Sequence, residues 1–322
     1  MKVLVITTDP DPHVDMVQKH LDNQIIRFDP CEFPFNTDVT YVWNGFKFDI
    51  YSKNQSFSGV DVVWYRKPRL LKVSELPVDP MYQHFAFSAY KRTVQALYGL
   101  LQDKMWVSDP WMIFRAENKL HQLECAAVYG FRVPQTLITS SPNDAEKFRK
   151  NVGKIITKTM GNEFVVIDGK PYNFYTTRIA PDEVIDFSGL RISPAIFQEE
   201  VTKGVDVRVT VVGDQVFPCE IQQKGTMLGE IDWRSGIGGL DLIYISHDRL
   251  PSDLAEKCIR LVQGMGLKFG AIDLILDPQG NYWFMEINPN GQWGFVEEET
   301  GVPISKAMAA LFRADNQTLN GS

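Results

Sequence analysis

Apolar residues come in short runs separated by turn formers, and the runs switch between strand and helix periods. Lys2 to Thr8 is apolar on both faces, as a buried parallel strand would be. Asp9-Pro-Asp-Pro12 then turns the chain and starts a helix over Val14 to Leu21. Ile25 to Phe28 and Val60 to Tyr65 read as further strands. Val39 to Trp43 and Phe46 to Tyr51 flank Asn44-Gly45, a hairpin signal because both turn residues tolerate positive φ. A long helix is expected from Pro80 to Lys104. The strand-helix-strand order predicts a small α/β domain over residues 1–106. No GxGxxG follows the first strand, so a dinucleotide fold is not supported.

Trp106 to Pro110 reads as a connector, and Ile113 to Tyr129 as one helix closed by Gly130. Val133 to Ile138 is a strand, Ser141-Pro-Asn-Asp144 opens a short helix through Asn151, and Lys154 to Lys158 is a strand carrying both lysines on one face. Phe164 to Ile167 and Tyr172 to Thr176 complete a second, α+β unit over 107–195. A third unit, 196–322, begins with the strand Ala195 to Val201. In Val205 to Val212, Asp206 and Arg208 face one way while Val207, Val209 and Val211 face the other. Gln215 to Gln222 is a strand, a loop follows with Trp233-Arg234, and Leu254 to Met265 is a helix. Ala271 to Leu276 and Tyr282 to Ile287 form a hairpin about Asp277-Pro-Gln-Gly280, and Ser305 to Arg313 is the last helix.

The hairpin carries the chemistry. Its strands are apolar except for Asp273, Glu286 and Asn288. Glu286 and Asn288 share a face about 7 Å apart, and Asp273 on the other strand can join them. Two carboxylates and an amide in an apolar hairpin cost several kcal/mol unless positive charge sits among them. Two readings are open: hard oxygen ligands for Mg²⁺ shared with a substrate phosphate, or acidic strand ends satisfied by Lys or Arg. The chain has 322 residues, ample for two or three domains. Its net charge of −7, from 33 basic and 40 acidic residues, argues against nucleic acid as a partner. Four scattered cysteines without a CxxC read as reduced core thiols, so the expected compartment is the cytoplasm. No apolar stretch is long enough to cross a membrane.

With these elements in order, the chain resembles the ATP-grasp carboxylate–amine ligases. The matching residues are Asn118-Lys119-Leu120, Gly130-Phe-Arg-Val-Pro-Gln-Thr136, Lys158, Phe197-Gln-Glu-Glu-Val201, Asp206-Val-Arg208, Asp232-Trp-Arg234, Asp273, and Glu286-Ile-Asn288. Within that superfamily it is similar to the RimK-like branch, and in particular to maturases of microviridin-type peptides (graspetides). The closer features are Val63-Trp-Tyr-Arg-Lys67, Thr210-Val-Val-Gly213 and Gly270-Ala-Ile-Asp273. The resemblance implies an ATP-grasp fold with ATP between the second and third units. It also implies roles. Lys119 and Lys158 would hold ATP phosphates, and Gln198 with the backbone of Glu199 and Val201 would meet adenine. Asp206 would accept from the ribose hydroxyls. Asp273, Glu286 and Asn288 would bind one or two Mg²⁺, with Glu286 bridging. Arg208 and Arg234 would stabilise an anionic tetrahedral intermediate. One departure stands out: the glycine-rich loop expected over the phosphates near 160–165 holds only Gly161. Glu297-Glu-Glu299 reads as a solvated acidic face.

The resemblance implies ATP-dependent condensation of Asp or Glu side chains of a ribosomal precursor peptide with Ser or Thr hydroxyls, or with Lys amines, by a homodimer. The alternatives are a RimK-like ligase adding an amino acid to a protein or small-molecule carboxylate, and a nucleotide-binding protein without ligase activity.

Overall fold

The computed structural model describes residues 1–22, 25–53, 55–161, 164–167, 170–174, 176–223, 242–247 and 250–319. The chain opens with β1 (Val3–Ile6), α1 (Pro12–Gln18) and β2 (Ile26–Phe28), followed by β3 (Thr40–Trp43), β4 (Phe48–Ser52) and β5 (Gln55–Ser56). Then come β6 (Val62–Tyr65), α2 (Pro80–Leu100) and β7 (Met105–Val107). Strands β2-β1-β6-β7 make a parallel sheet, and β3-β4-β5 an antiparallel one about the expected Asn44 turn. The segment at Trp106, expected as a connector, is instead the edge strand β7. Its three residues are all buried, which a connector on the surface would not need.

The single helix expected over Ile113 to Tyr129 is two: α3 (Pro110–Ala116) and α4 (Lys119–Val128). Asn118 breaks the run by capping α4, its Oδ1 accepting from the Leu120 and His121 amides at 3.0 and 3.2 Å. Next come β8 (Thr136–Thr139), α5 (Pro142–Val152), β9 (Ile155–Lys158), the hairpin β10 (Phe164–Ile167) and β11 (Lys170–Asn173), β12 (Thr177–Ile179) and β13 (Ala195–Glu199). The order β12-β9-β13-β8 forms an antiparallel sheet covered by α5 over a small core of Ala145, Ile155, Ile179, Leu190 and Phe197. Because β13 pairs with both β8 and β9, the sheet runs past residue 195 to Glu199. Lys154 lies before β9 and is exposed, so it does not share a strand face with Lys158.

The third sheet, β16-β15-β14-β17-β18, is antiparallel throughout: β14 (Val205–Val212), β15 (Gln215–Gln223), β16 (Leu242–Ser246), β17 (Phe269–Leu276) and β18 (Tyr282–Asn288). Helix α6 (Ser252–Gly264) precedes β17, and α7 (Gly294–Thr300) and α8 (Ile304–Leu319) close the chain. Val207, Val209 and Val211 point into a core with Leu261, Val262, Ile272, Leu274 and Phe284, as the alternation of β14 requires. Each such buried side chain contributes roughly 1.5–3 kcal/mol. The opposite end of this sheet shares a core with the first one: Val3, Val5, Val14 and Trp64 meet Phe269, Trp293, Ile304 and Phe312. The Trp64 and Phe312 rings lie 5.6 Å apart. Of the acidic run, Glu298 and Glu299 are exposed, but Glu297 takes the Ser305 amide at 2.6 Å and so caps α8.

Candidate active site

The site is built from three adjacent strands in register. Arg208 on β14 stands opposite Asp273 on β17, and Asp273 opposite Glu286 on β18. Cross-strand neighbours stand about 5 Å apart, so two carboxylates side by side repel unless cations intervene. Here two do. Arg208 clasps Asp273 through both nitrogens of its fork, Nε to Oδ1 at 2.9 Å and NH2 to Oδ2 at 2.8 Å. Lys119 reaches Glu286 Oε2 with its Nζ at 3.5 Å. A bulge between Asp273 and Leu274 shifts the register of the hairpin and brings Glu286 opposite Asp273.

The helix that carries Lys119 is pinned to β18 by a residue that the sequence did not single out. Gln122, one turn along α4, is buried and bonds to the edge strand as another strand would. Its Nε2 donates to Ile287 O at 2.8 Å and to Ala116 O at 2.7 Å, and its Oε1 accepts from Ile287 N at 3.1 Å. The available signal was a lone amide on the otherwise apolar face that also carries Ala126. Asn288 ends β18. Its Oδ1 accepts from the Asn290 amide at 3.2 Å, and its carbonyl from the Gly291 amide at 3.2 Å. Residue 291 must be glycine, because a Cβ there would lie 2.5 Å from Ala271 Cβ. Arg208 NH1 also donates to Gln292 O at 3.4 Å, so the loop after Asn288 holds the arginine as well.

The remaining residues lie on or beside the second sheet. Lys158 donates to Gln198 Oε1 at 3.2 Å, and Gln198 Nε2 donates to Thr136 Oγ1 at 2.9 Å. Gln198 is 0 % exposed, so its amide orients Lys158 from within the sheet. The Glu199 amide donates to Gln135 O at 2.8 Å and the Glu200 amide to Lys154 O at 3.0 Å; Val201 is the second residue past the strand end. Asp206 Oδ2 is met by Lys203 Nζ at 2.8 Å, a partner the sequence reading missed. The turn between them needs Gly204, where a Cβ would lie 2.7 Å from Leu276 O. Arg234, with Asp232 and Trp233, lies outside the described residues. The structure thus brings Lys119, Arg208, Asp273, Glu286 and Asn288 onto one sheet face. Lys158 and Gln198 sit together on the second sheet, with Glu199, Val201 and Asp206 where the chain passes between the sheets.

The donor set of Asp273, Glu286 and Asn288 is all oxygen, with no nitrogen or sulfur ligand, and therefore fits a hard cation such as Mg²⁺. Among the described residues no cluster of three His, Cys, Asp or Glu side chains offers a different metal site. Two acids and two cations leave the row without net charge. A lone divalent ion would then meet two positive neighbours, whereas one arriving with a polyphosphate brings the negative charge that offsets them.

A strand-borne row of carboxylates paired by Arg208 and by Lys119 of α4, beside a small antiparallel sheet that presents an oriented lysine, fits an ATP-grasp ligase. The chain belongs to the RimK-like ATP-grasp family. The sequence model of the RimK-like ATP-grasp domain matches residues 116–312, and that of the MvdD pre-ATP grasp domain matches residues 2–113. Among solved structures it is similar to the RiPP-associated ATP-grasp ligase of Chryseobacterium gregarium, in complex with ADP and a leader and core peptide. That match has a TM-score of 0.88 and 27% identity, over 98% of this chain and 97% of the other. It is also similar to the macrocyclase MdnC of Microcystis aeruginosa MRC bound with precursor peptide MdnA. There the TM-score is 0.81 and the identity 26%, over 97% and 99% of the two chains. By sequence it is 32% identical over 207 residues to a probable alpha-L-glutamate ligase of Citrobacter koseri, covering 61% of this chain and 63% of that protein. The match therefore spans less than two thirds of that relative's length. Among the described residues, no helix is long and apolar enough to cross a membrane.

Proposed function

We propose that this ligase activates Asp or Glu side chains of a ribosomal precursor peptide and condenses them with Ser or Thr hydroxyls, or with Lys amines, to close macrocycles. The observation that carries this reading is the in-register row Arg208–Asp273–Glu286 with Lys119 above it. The end-to-end likeness to ligases solved with precursor peptides supports a peptide as the substrate class. A substrate carboxylate oxygen attacks the γ-phosphorus of ATP, and ADP leaves. The hydroxyl or amine then adds to the acyl phosphate, loses its proton, and expels inorganic phosphate.

In this scheme Lys119 and Lys158 hold phosphates as mobile point charges. Gln198, Glu199 and Val201 form the adenine edge, Gln198 by fixing Lys158 and the segment that follows it. Asp206 receives the ribose hydroxyls on releasing Lys203. Asp273, Glu286 and Asn288 would hold Mg²⁺, which when bound neutralises and aligns the phosphates. Arg208, released in part from Asp273, stabilises the oxyanion of the tetrahedral adduct, a role that the family resemblance extends to Arg234. We place the functional divisions close to the expected 106 and 195, moved to the ends of β7 and β13, the enzyme in the cytoplasm, and its working form as a homodimer. Sedimentation of the purified chain tests the dimer.

The test of function is product mass. The chain, ATP, Mg²⁺ and an acidic precursor peptide should release ADP and yield a peptide lighter by one water per link. The second reading, transfer of an amino acid to a carboxylate, is favoured by the glutamate-ligase relatives over 207 residues. It predicts a gain of the acceptor's mass instead. ADP release with a mass gain on every peptide tried would replace the first reading by the second.

A further inference from the structure

The first domain reaches the loop that follows the shelf, and the contact is polar and buried. Asp9-Pro-Asp-Pro-His13 leads into α1 with Asp11 as its N-cap. Both oxygens of Asp11 are engaged. Oδ1 accepts from the His13 amide at 3.0 Å and from His13 Nδ1 at 3.1 Å, Oδ2 accepts from Thr7 Oγ1 at 2.8 Å, and Arg66 Nε stands 3.7 Å away. With Nδ1–H given to a carboxylate, His13 Nε2 is left as an acceptor. It faces the Trp293 amide, which can only donate, at 3.3 Å, and the imidazole meets the indole edge-on at 5.0 Å. Gly294 leaves the room for this, since a Cβ there would lie 3.3 Å from Nε2. Arg66, at the end of β6, donates through NH1 to Asn290 O at 3.2 Å.

The first domain thus grips both ends of the loop Asn290–Trp293, through Arg66 and His13. The same loop holds Asn288 through the Asn290 and Gly291 amides, and Arg208 through the Gln292 carbonyl. Asp11, His13, Arg66 and Trp293 are all buried, so water does not replace a lost bond. Apolar packing between Trp64 and Phe312 already joins the domains. A buried polar network at this loop adds direction rather than adhesion.

We infer that His13 is a positioning residue for the cation shelf, acting on Asn288 and Arg208 through the Asn290–Trp293 loop. The inference rests on the proposed metal role of Asp273, Glu286 and Asn288. Outer residues that orient a ligand set typically change metal affinity 10–100-fold. The experiment titrates Mn²⁺ into the full chain loaded with ADP, followed by electron paramagnetic resonance, with thermal midpoints recorded alongside. His13→Ala is expected to weaken Mn²⁺ binding by about tenfold. The Mg²⁺ needed for half-maximal ADP release should rise by the same factor, with the peptide KM unchanged. His13→Gln, whose Oε1 reaches the Nε2 position, is expected to recover Mn²⁺ binding to within about threefold of wild type. Gly294→Ala displaces the ring without deleting it and is expected to weaken Mn²⁺ in the same direction. Wild-type Mn²⁺ affinity in His13→Ala or in Gly294→Ala, or equal losses in His13→Ala and His13→Gln, overturns the inference. Asp273→Asn is the control for the shelf itself. If it keeps wild-type Mn²⁺ binding, the metal reading fails, whatever His13 does.

Discussion

The Arg208–Asp273 pair separates a structural from a chemical role. The Arg208 side chain is 6% exposed and that of Asp273 13%, so breaking the pair strands a buried charge. Removing one partner of such a pair costs about 3–5 kcal/mol. Asp273→Asn keeps one acceptor for the guanidinium, and some water reaches the site, so the low end applies, about 3 kcal/mol. Arg208→Met also leaves the Gln292 carbonyl without its donor and should cost about 3–4 kcal/mol. In the double variant no charge is stranded. Its stability should return to within about 1–2 kcal/mol of wild type, a coupling of roughly 4–6 kcal/mol. Urea denaturation of the four proteins measures this cycle. ADP release with an acidic peptide, run on the same four, should be lost in both single variants and in the double one. A double variant that recovers both stability and ADP release would show that the pair is only an ion pair, and would refute its place in the chemistry.

Other consequences are equally direct. Gln122→Leu leaves the Ile287 amide and the Ile287 and Ala116 carbonyls without this partner; it should lower stability by about 2–4 kcal/mol and raise the KM for ATP by loosening Lys119, as denaturation and kinetics would show. Gly291→Ala must move the Asn288 loop off Ala271, so calorimetry should find a lower melting temperature and a coupled assay little ADP release. Lys158→Met should raise the KM for ATP more than that for peptide. Asp11 also makes stability pH-dependent. Burial would raise its pKa, but the His13 hydrogen bond, the Arg66 charge and the Thr7 hydroxyl outweigh this and hold it at about 2 instead of 3.8. A depressed carboxyl stabilises the fold above its unfolded value and loses that stabilisation as pH falls through the folded one. Between about pH 4 and 2 the wild type should therefore lose on the order of 1–2 kcal/mol that Asp11→Asn does not, after allowance for residual solvent.

How far the site could be read in advance depended on the range of its contacts. The period of two in β14 and β18 put Arg208 apart from the valines and Glu286 beside Asn288, and both placements hold in the structure. The Asp277 turn at the hairpin was equally plain. Its Oδ1 takes the Gln279 and Asn281 amides at 2.9 and 2.8 Å, a local arrangement with a local signature. The break before Lys119 was not read, although Asn118 is a standard cap, because the apolar period continues across it. What aligns Asp273 with Glu286 is a bulge, which alternation does not encode. The partners of the charges were the least visible. Lys119 and Glu286 are 167 residues apart, Arg66 and Asn290 224, and His13 and Trp293 280. No window on the sequence contains such pairs. Lys203, three residues from Asp206, was within reach, but it stood behind a glycine turn that gave no reason to orient it inward.

The proposed function turns on carboxylate activation by phosphoryl transfer at the Asp273–Glu286–Asn288 shelf. An acidic precursor peptide carrying ¹⁸O in its side-chain carboxylates tests it most directly, with the released phosphate analysed by mass spectrometry. Phosphoryl transfer to the carboxylate yields ADP as the nucleotide product and one ¹⁸O in phosphate for each link formed. Linked peptide accompanied by unlabelled phosphate, or by AMP and pyrophosphate, would contradict it.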